Sequence, residues 1–149
     1  MDEFFHIAAG WRIRPTTPED YRAIVRVFLD CMPDFPWRNS PRQELMGMEN
    51  ALLSCESYVA TEEDAGIVGF IIVDPNSAYV SHLFVEADWR LCGVGTGLLA
   101  AARQASDKPL QLHVDELNTG ALKAYQAIGW TEVMETPSAR LGQKRLISP

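Results

Sequence analysis

The chain has 149 residues, of which 47% are hydrophobic and 22% charged, a composition that excludes a disordered or collagen-like polymer and fits one domain with a core spanning about residues 11–147. Its net charge of −7 argues against binding to nucleic acid or anionic membranes and suits a cationic amine partner. The cysteines Cys31, Cys55 and Cys92 are odd in number and form no C-x-x-C pair, so neither a disulfide framework nor a metal site is expected.

The first residues, Met1-Asp2-Glu3-Phe4-Phe5, lack the basic-then-apolar order of a signal peptide, so a cytoplasmic location is expected. Trp11-Arg12-Ile13-Arg14 alternates like an edge strand. Thr17-Pro18-Glu19-Asp20 then offers an N-cap, a first-turn proline and two acids. The apolar stripe of Tyr21, Ile24, Val25, Phe28 and Leu29 predicts a half-buried helix. Met32 to Trp37 breaks it, and the capping box Ser40-Pro41-Arg42-Gln43 starts a second helix ending near Ser54.

Ser57 to Thr61 and Gly66 to Val73 read as a hairpin around the turn Glu62-Glu63-Asp64-Ala65. The run Gly66 to Val73 is the longest apolar one, too short to span a bilayer. Asp74-Pro75-Asn76-Ser77 is a further turn and makes Tyr79 to Val85 the next antiparallel strand. A helix from Thr96 to Ala105, a strand from Leu110 to Val114, a helix from Thr119 to Ile128, and strands near Trp130 to Val133 and Arg140 to Leu146 follow. The expected architecture is α+β, with a mixed, mostly antiparallel central sheet flanked by helices.

The run Arg90-Leu91-Cys92-Gly93-Val94-Gly95-Thr96-Gly97 lies between a strand and the start of a helix. Glycines spaced by one residue let a turn gather successive N–H groups where the positive end of the helix dipole also acts. That is a seat for an anion such as pyrophosphate. After the next strand comes Asn118-Thr119-Gly120-Ala121-Leu122-Lys123-Ala124-Tyr125, closed by Gly129-Trp130. A dinucleotide-binding unit would place a ribose-binding acid at Asp115. Against it, residues 86–92 separate strand from glycines, Leu98 takes the third-glycine position, and Asn118 to Tyr125 would be unexplained.

These segments resemble the GNAT superfamily of acyl-CoA-dependent N-acetyltransferases. Arg90, Gly93 and Gly95 match Gln/Arg-x-x-Gly-x-Gly/Ala, and Leu83-Phe84-Val85 fits Leu-x-Val. Asn118, Ala121, Tyr125, Gly129 and Trp130 fit Asn-x-x-Ala-x-x-x-Tyr-x-x-x-Gly-aromatic. Ala87 departs from the family's common proline, and Leu91 from the glycine that often follows the arginine. Neither departure removes a backbone N–H. The predicted order of elements is also that of the GNAT fold.

The resemblance implies acetyl-CoA as acyl donor and no metal. It implies that the N–H groups of Leu91, Cys92, Gly93, Val94, Gly95 and Thr96 surround the pyrophosphate, with Arg90 either a phosphate contact or a solvated loop cation. The edge of the strand at Leu83, Phe84 and Val85 would hold the pantetheine arm, and an N–H there would polarise the acyl oxygen. Asn118 would cap its helix, bind pantetheine, or both. Tyr125 would protonate the coenzyme A sulfur as a small-molecule or peptide primary amine attacks directly in a ternary complex; as a core residue it would only pack.

The general base is not readable. Without a bulge, Tyr79, Ser81, Leu83 and Val85 share one strand face and His82 points to the other, and neither Tyr79 nor Ser81 is a ready base near neutral pH. Ordered water, His82, His113, Glu86 and Glu116 are the candidates, and a bulge would redirect His82. The lack of an obvious base keeps open a non-catalytic acyl-CoA-binding or regulatory module. In the family, acceptor selectivity comes from the first two helices and the last strands; Asp30, Asp34, Phe35, Trp37 and Glu44 lie there without a recognisable code. Homodimers are common among family members.

Overall fold

The computed structural model describes residues 4–6, 10–34, 40–134 and 142–149, with residues 4–6 and 34 described by their backbone alone. Phe35 and Trp37, and the start of the last predicted strand, lie outside the described residues.

Strands β1 (Phe4–His6), β2 (Trp11–Pro15), β3 (Glu56–Glu62), β4 (Gly66–Val73) and β5 (Val80–Val85) form one sheet in that order, each neighbouring pair antiparallel. Strands β6 (Gln111–Asp115), β7 (Thr131–Val133) and β8 (Gln143–Ile147) form a second, with β8 central and antiparallel to both neighbours. The pattern predicts an edge strand at Trp11, but β1 covers it, pairing Phe4 with Ile13 and His6 with Trp11. Three residues are too few to carry a period of their own, so β1 left no sequence signal.

The sheets are joined where β5 begins. Tyr79 and Gln111 form a parallel bridge, and Gln111 N–H donates to Ala78 O at 3.0 Å. No other bridge links β5 to β6 among the described residues, so the two strands part beyond this point.

Helices α1 (Tyr21–Cys31) and α2 (Pro41–Ser54) cover one face of the larger sheet. Ile24, Val27, Phe28, Cys31 and Met48 pack there on Val59, Phe70, Ile72 and Phe84. Helix α3 (Val94–Ala105) covers the other face, where Val94, Leu98, Leu99 and Ala102 meet Ile71, Val80, Leu112, Val114 and Leu146 from both sheets. Fully burying one such Phe or Leu contributes about 1.5–3 kcal/mol, so each helix is held by its stripe rather than by propensity. Helix α4 (Thr119–Ala127) packs through Ala121, Leu122 and Tyr125 against this second core.

Strand β5 carries a bulge: Ile72 pairs with His82 and Val73 with Val80, leaving Ser81 between them. Val80 therefore joins Leu83 and Val85 on the α3 face, and Ser81 loses the place that plain alternation gives it. His82 stays on the α1 face, its ring 6.3 Å from those of Phe28 and Phe84.

Candidate functional site

A short 3-10 turn, Ala87–Trp89, leads from β5 into the glycine loop. Gly93 caps α3 with φ +81°, a left-handed conformation that a side chain disfavours. The first helical bond runs from Gly97 N–H to Gly93 O at 2.9 Å, so the N–H groups of Val94, Gly95 and Thr96 project from the helix N-terminus as donors for an anion. Leu91 takes φ +64° and is fully exposed. The loop is anchored from the far side of the chain, because Trp11 Nε1 donates to Cys92 O at 2.8 Å. Gly97 makes room for that indole: a Cβ there would stand 2.5 Å from Trp11 Cη2.

A cleft of about 360 Å³ opens between β5, this loop, α3 and α4. Leu83, Phe84 and Val85 form its strand wall, and Arg90, Leu91, Gly93, Val94, Gly95 and Thr96 its loop wall. Ala121, Ala124 and Tyr125 close it from α4 and Ile128 from just past that helix, with Trp89 and Leu99. Most of the residues singled out in the sequence thus share one cavity. Phe84 contributes mainly through its backbone, since its ring is buried on the α1 side, stacked 5.6 Å from Phe70.

Two of the expected residues lie outside this lining. The Cys92 side chain packs against the core, and Asn118 Oδ1 accepts from Ala121 N–H at 3.2 Å, capping α4. Arg90 Nε donates to Val85 O at 3.0 Å, so its guanidinium bridges the loop back to the strand end.

Tyr125 stands on the α4 wall with its ring 5.2 Å from Trp130. Burial pushes its phenol well above the usual range and keeps it protonated. Ala121, one turn earlier on the same face, supplies the open space beside it.

The opposite face of the strands is polar where β5 and β6 part. Leu112 and Val114 are buried toward α3, so alternation puts Gln111, His113 and Asp115 on the other side. There Tyr79 Oη lies 2.9 Å from His113 Nδ1, and Arg145 donates to Gln111 Oε1, from Nε at 2.8 Å. His82 Nδ1 lies 2.8 Å from Ser81 Oγ. The acids Glu86 and Glu116 stand away from this junction. Glu86 follows β5 and faces Arg26 at 4.0 Å, its carboxyl pushed up by burial and then by Asp30. Glu116 is exposed in the turn after β6.

Sequence reasoning missed Trp89 as a cleft residue and Trp11 as the loop's anchor. Trp89 adjoins the motif and was accessible to inspection, whereas the Trp11 contact spans 81 positions and leaves no local signal. Among the described residues, no group of three or more His, Cys, Asp or Glu side chains gathers as a metal site, and no helix is long and apolar enough to cross a membrane.

Residues 38–143 match the family model described as an acetyltransferase (GNAT) domain. No curated protein sequence matches the chain. Among solved structures, the apo-form of YjaB from Escherichia coli is 24% identical with a TM-score of 0.69, the alignment covering 92% of this chain and 96% of that one. A GNAT-family acetyltransferase from Staphylococcus aureus gives a TM-score of 0.74 at 14% identity, over 93% and 98% of the two chains. The ribosomal-protein-S18-alanine N-acetyltransferase of Escherichia coli gives 0.70 at 16% identity, over 93% of each. At these identities the structural likeness speaks for the fold, and the family rests on the model match across most of the sequence: the chain belongs to the GNAT family of acetyltransferases.

Proposed function

We propose that this protein is an acetyl-CoA-dependent N-acetyltransferase acting on a primary amine by direct attack in a ternary complex. The observation that carries the reading is that the N–H donors at the start of α3 and the protonated Tyr125 phenol border one cleft. The donor set fits the group: backbone N–H groups at a helix N-terminus hold a pyrophosphate, and the apolar cleft walls suit a pantetheine arm. Bound acetyl-CoA supplies the acetyl group in activated form, as a thioester.

In this reading the N–H groups of the loop from Leu91 to Thr96 hold the phosphates. The β5 edge at Leu83, Phe84 and Val85 orients the arm, and a strand N–H polarises the acyl oxygen. Tyr125 holds a proton for the departing sulfur; its raised pKa keeps that proton in place until negative charge develops nearby. Arg90 and Asn118 act on this site from its rim, Arg90 by securing Val85 and Asn118 by fixing the start of α4. The acceptor is a small molecule or a peptide amine, consistent with the chain's charge of −7.

Release of free thiol from acetyl-CoA, followed across a panel of small amines, amino acids and peptides, tests the reading. Amine-dependent release is expected. Binding of coenzyme A without release on any amine would instead mark a non-catalytic acyl-CoA-binding module.

A further inference from the structure

Resting on that reading, we propose that Tyr79 and His113 form a proton-accepting pair that relieves the attacking amine of its proton. Three observations support it. The Tyr79 hydroxyl and His113 Nδ1 are 2.9 Å apart, within direct proton-transfer reach. The pair sits beside the Tyr79–Gln111 bridge at the start of β5, the one bridge between these strands among the described residues, and so at the apex from which they diverge. It also lies on the face away from α3, because the neighbours Leu112 and Val114 are buried toward that helix. The donor cleft is built from β5, α3 and α4. In this proposal the amine reaches a thioester in that cleft from the other face, through the gap between the strands, and passes Tyr79 and His113.

The pair resolves a chemical difficulty. A phenol alone is a poor base near neutral pH, but a phenol hydrogen-bonded to imidazole can pass its own proton on while it takes another. As the amine nitrogen bonds to the acyl carbon and the carbon–sulfur bond breaks, the nitrogen gives a proton to Tyr79 Oη, and the Tyr79 hydroxyl proton moves to His113 Nδ1. The sulfur takes its proton from Tyr125. Solvent then removes the proton from His113 and restores that of Tyr125, leaving amide and free thiol.

His82 is the competing group on this face. Its ring packs beside Phe28 and Phe84 and its Nδ1 is engaged with Ser81, two residues from the bridge. The Tyr79 pair is favoured because it ties the two strands together where they part.

The test compares wild type, Tyr79→Phe, His113→Asn and the double variant by the pH dependence of thiol release, with coenzyme A affinity measured separately by calorimetry. Each single variant is expected to lower turnover by about 10²-fold with coenzyme A affinity unchanged. The double variant should lose little more than either single one, and the rise of rate with pH near neutrality should be lost or displaced. Wild-type profiles in both single variants would overturn the pair, as would loss of that rise in His82→Asn alone. Coenzyme A binding without transfer by the wild type on any amine would remove the acetyltransferase reading together with the pair. That result is distinct from an active wild type with indifferent Tyr79 and His113 variants.

Discussion

The Trp11 indole N–H and the Cys92 carbonyl, 2.8 Å apart, fasten the second strand to the glycine loop across 81 positions of sequence. The same ring fills the space left by Gly97, so β2, the loop and the first turn of α3 hold one another. The orientation of the donor N–H groups therefore depends on a residue outside the motif. Trp11→Phe keeps most of the apolar contact and removes the hydrogen bond, worth about 1 kcal/mol net. Coenzyme A binding should weaken by roughly fivefold with kcat nearly unchanged, read by calorimetry and steady-state kinetics. Gly97→Ala sets a methyl against the indole and should cost about 1–3 kcal/mol of stability in urea unfolding.

Leu91 and Gly93 both adopt positive φ, at +64° and +81°, yet one is glycine and the other is not. An L-residue pays roughly 1–2 kcal/mol in that region, so Leu91→Gly should raise stability by about 1 kcal/mol; Leu91 is fully exposed and loses little packing. Gly93→Val should do the reverse and, by turning the N–H groups at the start of α3, remove the thermal shift given by coenzyme A while far-UV circular dichroism stays native. A Gly93→Val protein with the full shift would displace the anion seat from this loop.

What was legible in the sequence obeys local rules. Ile24 and Phe28 of the α1 stripe, the glycine-opened helix after Gly93 and the Asn118 cap are each set by neighbours within a few positions and stand close to where the patterns put them, α3 starting two residues early at Val94. Tyr21 and Leu29 of the expected stripe are exposed, and Val27 and Cys31 are buried in their place. The Ser81 bulge is different, because whether two residues face one depends on the partner strand and leaves no mark in composition. The Tyr79–His113 contact likewise joins residues 34 apart, so each was visible singly and the pair was not. The glycine loop and the helix it opens are local and could be read; the contact between Tyr79 and His113 is assembled by the sheet and could not.

Tyr125 provides the sharpest check on the acid step. Tyr125→Phe retains the ring against Trp130 and the cleft wall, removing only the hydroxyl. Turnover should fall by about 10²-fold with coenzyme A affinity within a factor of two or so. Burial raises the phenol's pKa, so the acid form persists through the whole assay range and contributes no alkaline limb below about pH 10. An unchanged chemical rate in single-turnover measurements would return Tyr125 to a packing role.

The ion pair that begins α1 makes a prediction about pH. Arg14 donates two hydrogen bonds to Asp20, at 2.7 and 2.9 Å, and Thr17 N–H donates a third at 2.8 Å, all to a carboxylate that is nearly buried. The Arg14 guanidinium, opposed by burial and aided by the Thr17 N–H, holds the Asp20 carboxyl below the usual range. A carboxylate whose folded pKa is depressed contributes stability that is complete above the unfolded pKa and disappears as pH falls through the folded one. Asp20→Asn should therefore cost about 2 kcal/mol at pH 7, since Arg14 and Thr17 keep a neutral, weaker acceptor. The gap between wild type and variant should close as pH falls below about 4, the range in which the unfolded carboxylate first takes up its proton. Urea unfolding of both proteins at pH 7 and pH 3 measures it. An equal gap at the two pH values would mean that the shape of the hydrogen-bonded turn, rather than the charge of Asp20, holds the start of α1.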